Sequence, residues 1–365
     1  MTAKPKLRVL ILDPHNEYAA HFPTFAQVIN SESLELPIWM FRFDELADIV
    51  FSGRQPHADE RDALYDIIKA AKSKYLADTG SPTGGSVLRR QAIAESAQIT
   101  PDTPTPFRMI DAVAVIEEWL GKLDQRFART DLRGLRFRLE GLSRDPRFRF
   151  MFGRTVAEDD IAKVVSRLFR IPTRRMPITI IELAGLPNEV VNSVVSVLAR
   201  LAFEIAYWCV GDYDVNVLCE EAHRYIPAGQ VRNFGPARHA IGRIAKEGRK
   251  YSCSLGVITQ RPSELDPTVL SQCATMFAMR LTNENDKKII HDAVGASALS
   301  TIAFLSSIAD REAIAFGEAI ATPMRMKFAD ISGGQDDRRL PDPSERDVDP
   351  IDLRRLAAQL RGEAS

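Results

Sequence analysis

The sequence predicts an α/β fold, a mainly parallel sheet flanked by helices. Three observations point there. Apolar runs with β-branched residues at 7–12, 178–183, 215–219 and 254–259 read as buried strands. Long helical patterns alternate with them, which favours parallel pairing through right-handed crossovers. Two of these strands end in polar tips, Glu220-Glu221 after one and Gln260-Arg261-Pro262 after the other. In open α/β sheets, ligands bind at that carboxyl rim.

Taken in order, residues 7–12 are the first strand, 22–30 a short helix and 36–41 a second strand. From 44 to about 170 the chain is charged and helical in pattern. Breaks rich in Gly, Pro, Ser and Thr interrupt it at 78–86 and 100–106. Within 59–76, Leu64, Ile67, Ile68, Ala71 and Tyr75 recur near helical spacing, and 107–127 behaves alike. This region reads as a helical subdomain inserted into the sheet. The sheet resumes at 178–183, followed by a long buried helix at 187–208. Strand 215–219 leads through a loop at 226–235 to a helix at 236–250, which Gly248-Arg249-Lys250 would stop. Strands 254–259 and 276–281, helices 284–294 and 298–308, and strands 312–316 and 324–328 complete the core. The tail, 332–365, is charged and Pro/Gly-rich, so disorder is expected, with one short amphipathic helix at 350–360. The division expected is 1–43 and 171–331 for the core, 44–170 for the insertion and 332–365 for the tail.

Bulk properties exclude little. The chain has 365 residues, 45% hydrophobic and 27% charged, with a net charge of −1. That is ordinary for a globular protein and lacks the global basic signature of a DNA-coating one. A ring translocase, with DNA contacts confined to pore loops, stays open. The four cysteines make no C-x-x-C pair, as expected for free buried thiols in a reducing compartment. Residues 190–211 approach membrane-spanning length but contain Asn192, Arg200 and Glu204, so a buried helix is expected. No signal peptide is visible, and a cytoplasmic protein is expected.

The polar strand tips suggest chemistry. Nucleoside triphosphate hydrolysis uses one carboxylate to hold magnesium, another to activate water, and an amide to orient that water. Taken alone, two glutamates at a strand end can equally begin a solvated loop, and Gln260 can be a turn amide before Pro262.

Longer words sharpen this. They are Ile11-Leu-Asp13-Pro-His15-Asn-Glu17-Tyr18, Asp145-Pro-Arg-Phe-Arg-Phe150 and Pro177-Ile-Thr-Ile-Ile-Glu-Leu183. Next come Cys219-Glu-Glu-Ala-His-Arg-Tyr-Ile-Pro227, Arg243-Ile-Ala-Lys-Glu-Gly-Arg-Lys-Tyr251 and Thr259-Gln-Arg-Pro-Ser-Glu-Leu265. Leu270-Ser-Gln-Cys273 and Arg280-Leu-Thr-Asn283 follow. With these the chain resembles the HerA-type ATPases of the HerA–FtsK group, over about residues 7 to 330. The resemblance implies a RecA/FtsK-like sheet that binds ATP and Mg2+. It implies Glu220 as magnesium ligand, Glu221 as water-activating base and Gln260 as the sensor amide. Arg249 would be an arginine finger for a neighbouring subunit's nucleotide; its plain alternative is a helix-end cation. Asp13 and His15 would lie near the nucleotide, Asp13 ordering the magnesium shell. Partners implied are a hexameric ring of identical chains, double-stranded DNA, and a nuclease of the NurA type or another defence effector. The pathways implied are DNA repair and phage defence.

The departure is the phosphate loop. Proteins of this kind carry Gly-x-x-x-x-Gly-Lys-Ser/Thr before the Asp-Pro-His strand, and no such run occurs in these residues. The nearest look-alike, Thr83-Gly-Gly-Ser86, has no lysine. The expectation is therefore an ATPase core without its first strand, phosphate loop and following helix. Two internal sheet edges would lack partners, and the polypeptide would be inactive alone. The alternative function is a non-hydrolysing remnant or scaffold subunit that joins a complete relative.

Two further stretches are candidates for nucleic acid. Loop 228–235, with Arg232 and Asn233, is a possible pore loop. The run 133–152 alternates Arg with Leu and Phe, as a strand or ribbon on nucleic acid would. The preferred account of that run is plainer, a subdomain face with arginine stems lying along it.

Overall fold

The computed structural model describes residues 6–52, 54–79, 99–122, 126–152, 161–171, 176–209, 211–229, 235–293, 305–329 and 353–362. Five parallel strands form the central sheet. They are β1 (Leu7–Asp13), β2 (Ala26–Ile29), β3 (Ile178–Glu182), β4 (Asp214–Cys219) and β5 (Cys253–Val257). Their order is β2-β3-β1-β4-β5. β1 lies in the middle, with Ile11 level with Ile180 on one side and Leu218 on the other. Its run Leu10-Ile11-Leu12 is buried, as a strand covered on both faces requires.

Two early expectations are corrected. Residues 26–29 are strand rather than helix, because pairing with β3 gives this backbone its partners. Tertiary pairing overrides a weak helical pattern. Residues 36–41 form no strand. Pro37 has no N–H to donate, and Ile38–Met40 closes a 3-10 turn behind it. Leu36, Trp39 and Phe41 are nonetheless buried. The apolar run signalled burial and not a ladder.

Between β2 and β3 lie α1 (Phe43–Phe51), α2 (Ala58–Thr79), α3 (Met109–Gly121), α4 (Arg129–Arg144) and α5 (Ile161–Phe169). Then come α6 (Asn188–Trp208), α7 (Gly235–Glu247), α8 (Glu284–Ala293) and α9 (Leu353–Arg361). The run 133–152, for which a strand or ribbon is the less favoured alternative, is mostly α4. Its Leu132, Leu135 and Leu139 are buried at helical spacing. One continuous core joins Leu10 and Leu12 of the sheet to Leu64, Leu135, Val165 and Val195 of the helices. α6 is long and apolar enough to cross a membrane, but 72% of its most apolar window is buried in the fold. Cys209, Cys219 and Cys253 are buried free thiols. Burial pushes the last two up to about 12, which makes them inert.

A buried ionic cluster fixes α1 on α6. Ser196 Oγ donates to Glu45 Oε1 at 2.6 Å, and Arg200 Nη2 donates to Glu45 Oε2 at 3.2 Å and to the Met40 carbonyl at 2.7 Å. Arg200 Nη1 also reaches Glu204 at 3.4 Å. Arg200→Ala would leave Glu45 and Glu204 without their common cation. The expected loss is about 3–5 kcal/mol, measured as a lower denaturation midpoint with an unchanged slope.

The last three strands depart from the expected parallel pattern. β6 (Thr275–Ala278), β7 (Glu312–Gly317) and β8 (Met324–Lys327) form a separate antiparallel sheet in the order β6-β7-β8. So β5 borders one sheet and β6 borders the other, and the two do not pair. Contacts tie both ends of this gap. Near the start of β5, Arg249 Nη1 lies 3.5 Å from Glu318 Oε2, just past β7. Beyond the far ends, Ser263 N donates to Asp286 Oδ1 of α8 at 2.9 Å. Of the helix expected at 298–308, only the turn Leu305–Ser307 is described. Thr83-Gly-Gly-Ser86, Arg232, Asn233 and most of the tail lie outside the described residues; α9 is the short tail helix.

Candidate functional site

Parallel register brings the tips of β1, β4 and β5 to one rim, with Leu12 level with Cys219 and Cys219 level with Val257. Ile258 N donates to the Cys219 carbonyl at 3.0 Å and Ala222 N to the Ile258 carbonyl at 3.0 Å, locking two tips together. Asp13 is wholly buried. Its carboxylate accepts from His15 N at 3.1 Å and Tyr18 N at 3.0 Å, which folds the segment after β1 into a tight turn. Asn16 takes the left-handed conformation in that turn, at φ 59°.

That turn delivers Tyr18, whose hydroxyl donates to Glu220 Oε2 at 2.6 Å. Burial holds the Glu220 carboxyl above the usual range; the nearby charges of Glu221, Asp13 and Glu17 add to this, and the Tyr18 hydrogen bond opposes it. Because the folded value is raised, the unfolded chain gives up this proton first as pH rises. Stability from this group is complete below the ordinary glutamate range, near about 4.3, and falls as pH climbs through the folded value. Glu220→Gln removes that dependence. At pH 7 its Tm should exceed the parent's, and the difference should vanish in scans near pH 4.

Glu221 is backbone-strained, at φ 47° and ψ 49°. For a residue with a Cβ this region is costly and is characteristic of functional sites. The side chain is buried. Its Oε2 lies 3.2 Å from His223 Nδ1, but that nitrogen hydrogen-bonds Thr259 Oγ1 at 3.0 Å. Oε2 is left buried with no hydrogen-bond partner among the described residues. Thr259 Oγ1 also accepts from Arg261 N at 3.0 Å, fixing the turn that carries Gln260. Gln260 and His15 are exposed at the rim.

Asp13, Glu220 and Glu221 thus come together, with Gln260 beside them. Arg249 does not join them. It sits in the turn Gly248–Tyr251 before β5, at the opposite end of the strand, with a side chain 91% exposed. Close packing sets this turn, since a Cβ on Gly248 would stand 2.1 Å from the Cys253 carbonyl oxygen. Sequence reasoning missed Tyr18, His223 and Thr259 as site residues. All three stand inside the quoted words, but their value depends on cross-strand distances that spacing does not reveal.

No group of three or more His, Cys, Asp or Glu side chains converges to hold a metal among the described residues. Magnesium at triphosphate sites takes one or two carboxylates and completes its shell with phosphate oxygens and water. Glu220, with one oxygen not bound by Tyr18, fits that partial role.

Residues 1–202 match the family described as the helicase HerA central domain. The chain belongs to this family. Over 125 residues the HerA-family chain is 35% identical to a probable DNA double-strand break repair helicase HerA of Methanocaldococcus jannaschii, covering 33% of this chain and 24% of that protein. Over 116 residues it is 35% identical to the DNA double-strand break repair helicase HerA of Pyrococcus furiosus, covering 32% and 20%. The matched part therefore spans about a quarter or less of those relatives. Among solved structures, VirB4 of Thermoanaerobacter pseudethanolicus superposes with a TM-score of 0.56 at 15% identity, covering 89% of this chain and 82% of that one. That likeness concerns fold alone, and it agrees with the RecA/FtsK-like sheet of this HerA-family chain.

Proposed function

We propose that this chain supplies the hydrolytic rim of an ATP-driven DNA translocase. The observation that carries the proposal is Glu221, a buried carboxylate on a strained backbone at the carboxyl rim, whose Oε2 stands near His223 Nδ1 but has no hydrogen-bond partner among the described residues. Such a group is placed to take a proton from water. Gln260 would orient that water, Glu220 would hold magnesium, and Tyr18 would keep Glu220 in place. Bound ATP and Mg2+ would supply the scissile phosphoanhydride and its charge neutralisation.

The phosphate-wrapping loop would come on a strand seated between β5 and β6. Ser252 O and Ile258 N bond toward β4, so by strand alternation the amides of Leu255 and Val257 point into the gap. Exposed apolar side chains border it, with Ile258 at 38%, Phe277 at 52% and Met279 at 50%. A strand there, parallel to β5, would end beside Gln260. Arg249, remote from its own chain's rim, suits a finger acting on the next subunit, which favours a ring. We take that ring to be a hexamer on double-stranded DNA, in the cytoplasm, working with a nuclease of the NurA type or another defence effector.

A second reading is a non-hydrolysing scaffold subunit that assembles with a complete relative. In that reading the phosphate loop, Gly-x-x-x-x-Gly-Lys-Ser/Thr, is contributed by the complete relative. ATP turnover separates the two. It should be absent from residues 1–365 alone and appear when they are joined to an amino-terminal segment carrying an apolar strand and that loop. A joined protein that binds ATP without turnover would reject the hydrolytic role and favour the scaffold.

A further inference from the structure

Helix α4 has a solvent face that neither the core nor the rim explains. Its leucines Leu132, Leu135 and Leu139 anchor it. At about 100° per residue, Phe137 stands opposite that stripe, and it is 81% exposed. Arg133 and Arg129 lie one and two turns before it on the same side, both exposed. Neither has a carboxylate partner among the described residues, whereas Arg136 and Arg144 are paired with Glu140. The helix carries five arginines against Asp131 and Glu140, in a chain whose net charge is −1. Gly134 and Gly141 flank the ring at three residues before and four after. A Cβ at either would meet nothing within 4 Å, so packing does not demand glycine there. Each lowers helix stability relative to alanine, and each leaves the flank of the ring open.

We propose that Phe137, Arg133 and Arg129 form a contact site for an unpaired nucleic-acid strand. The ring stacks on a base, the guanidinium groups take successive phosphates, and the two glycines let a flat base approach. Stacking on an exposed aromatic beside arginine is the usual means of holding single strands without reading sequence. A protein partner fits less well. The core of a protein interface needs a contiguous apolar patch, and this face of α4 offers one ring among arginine, glycine and threonine. The inference deepens the DNA-translocase reading and rests on it. Such a site would hold a strand opened from the duplex.

The test is binding of the full chain to a fluorescent oligothymidylate and to a duplex of equal length, across a salt series. Phe137→Ala should weaken oligothymidylate binding by about 5- to 150-fold, and Phe137→Trp should restore it. Arg133→Ala should flatten the logarithmic salt dependence by about 0.7, with Arg133→Lys retaining most of the slope. Duplex affinity should change far less in every variant. The site is refuted if wild type binds oligothymidylate and Phe137→Ala binds equally well; the DNA reading would then survive without it. If wild type binds neither probe, the site and the DNA reading both fail for this chain. If Phe137→Ala instead alters the mass in solution without altering DNA binding, the face joins protein copies and the inference is wrong.

Discussion

Glu221→Gln should lower ATP turnover by about 100-fold or more, while nucleotide affinity stays within about twofold. The setting is the chain joined to a phosphate-loop strand. A positioned general base contributes about 10²–10⁴-fold, and the amide cannot take a proton. It keeps the shape of the carboxylate, so ATP and magnesium contacts made by other groups persist. We take Glu221 rather than Glu220 as the base on two observations. Glu220 already accepts the Tyr18 hydroxyl, whereas Glu221 Oε2 is buried with no hydrogen-bond partner among the described residues. Equal turnover in Glu221→Gln and parent would move the base elsewhere, and Glu220→Gln would be the next variant to assay.

Arg249→Ala should leave ATP binding and assembly intact and reduce turnover by about a thousandfold, the usual worth of an arginine finger. Among the described residues its exposed guanidinium meets Glu318, itself exposed, so little folding stability depends on that pair. Arg249→Ala and Glu221→Gln subunits, each nearly inactive, should regain turnover when mixed. Some mixed interfaces pair an intact Glu221 with an intact Arg249. If mass measurement shows mixed rings that stay inactive, covalently linked dimers with one intact interface per pair decide the matter. Inactivity there would leave Arg249 as a cation at a helix end.

The sequence revealed the elements that bury themselves by pattern. β1, β3, β4 and β5 and the long α6 were legible because apolar runs and helical spacing report burial directly. It misread residues 26–29 and 36–41. The first is short and takes its identity from β3, far along the chain. The second is apolar without being extended, because Pro37 removes a donor. The antiparallel turn of β6, β7 and β8 was also hidden, since periodicity does not encode strand direction. At the site, Glu220, Glu221 and Gln260 stood out as polar ends of apolar strands. The Tyr18–Glu220 and His223–Thr259 contacts did not, because each joins different tips of the sheet. Nor did spacing show that Arg249 lies at the other end of β5 from the carboxylates.

Amide exchange at β5 tests the central claim most directly. In residues 1–365 alone, the Leu255 and Val257 amides face a gap and should exchange fast, while Gly256, bonded toward β4, is protected. In the chain joined to a phosphate-loop strand, both outer amides should gain about 100-fold protection or more, and tight ATP binding should appear with it. Unprotected Leu255 and Val257 amides in a joined protein that binds and hydrolyses ATP would contradict the account, because the site would then be completed somewhere other than the gap between β5 and β6.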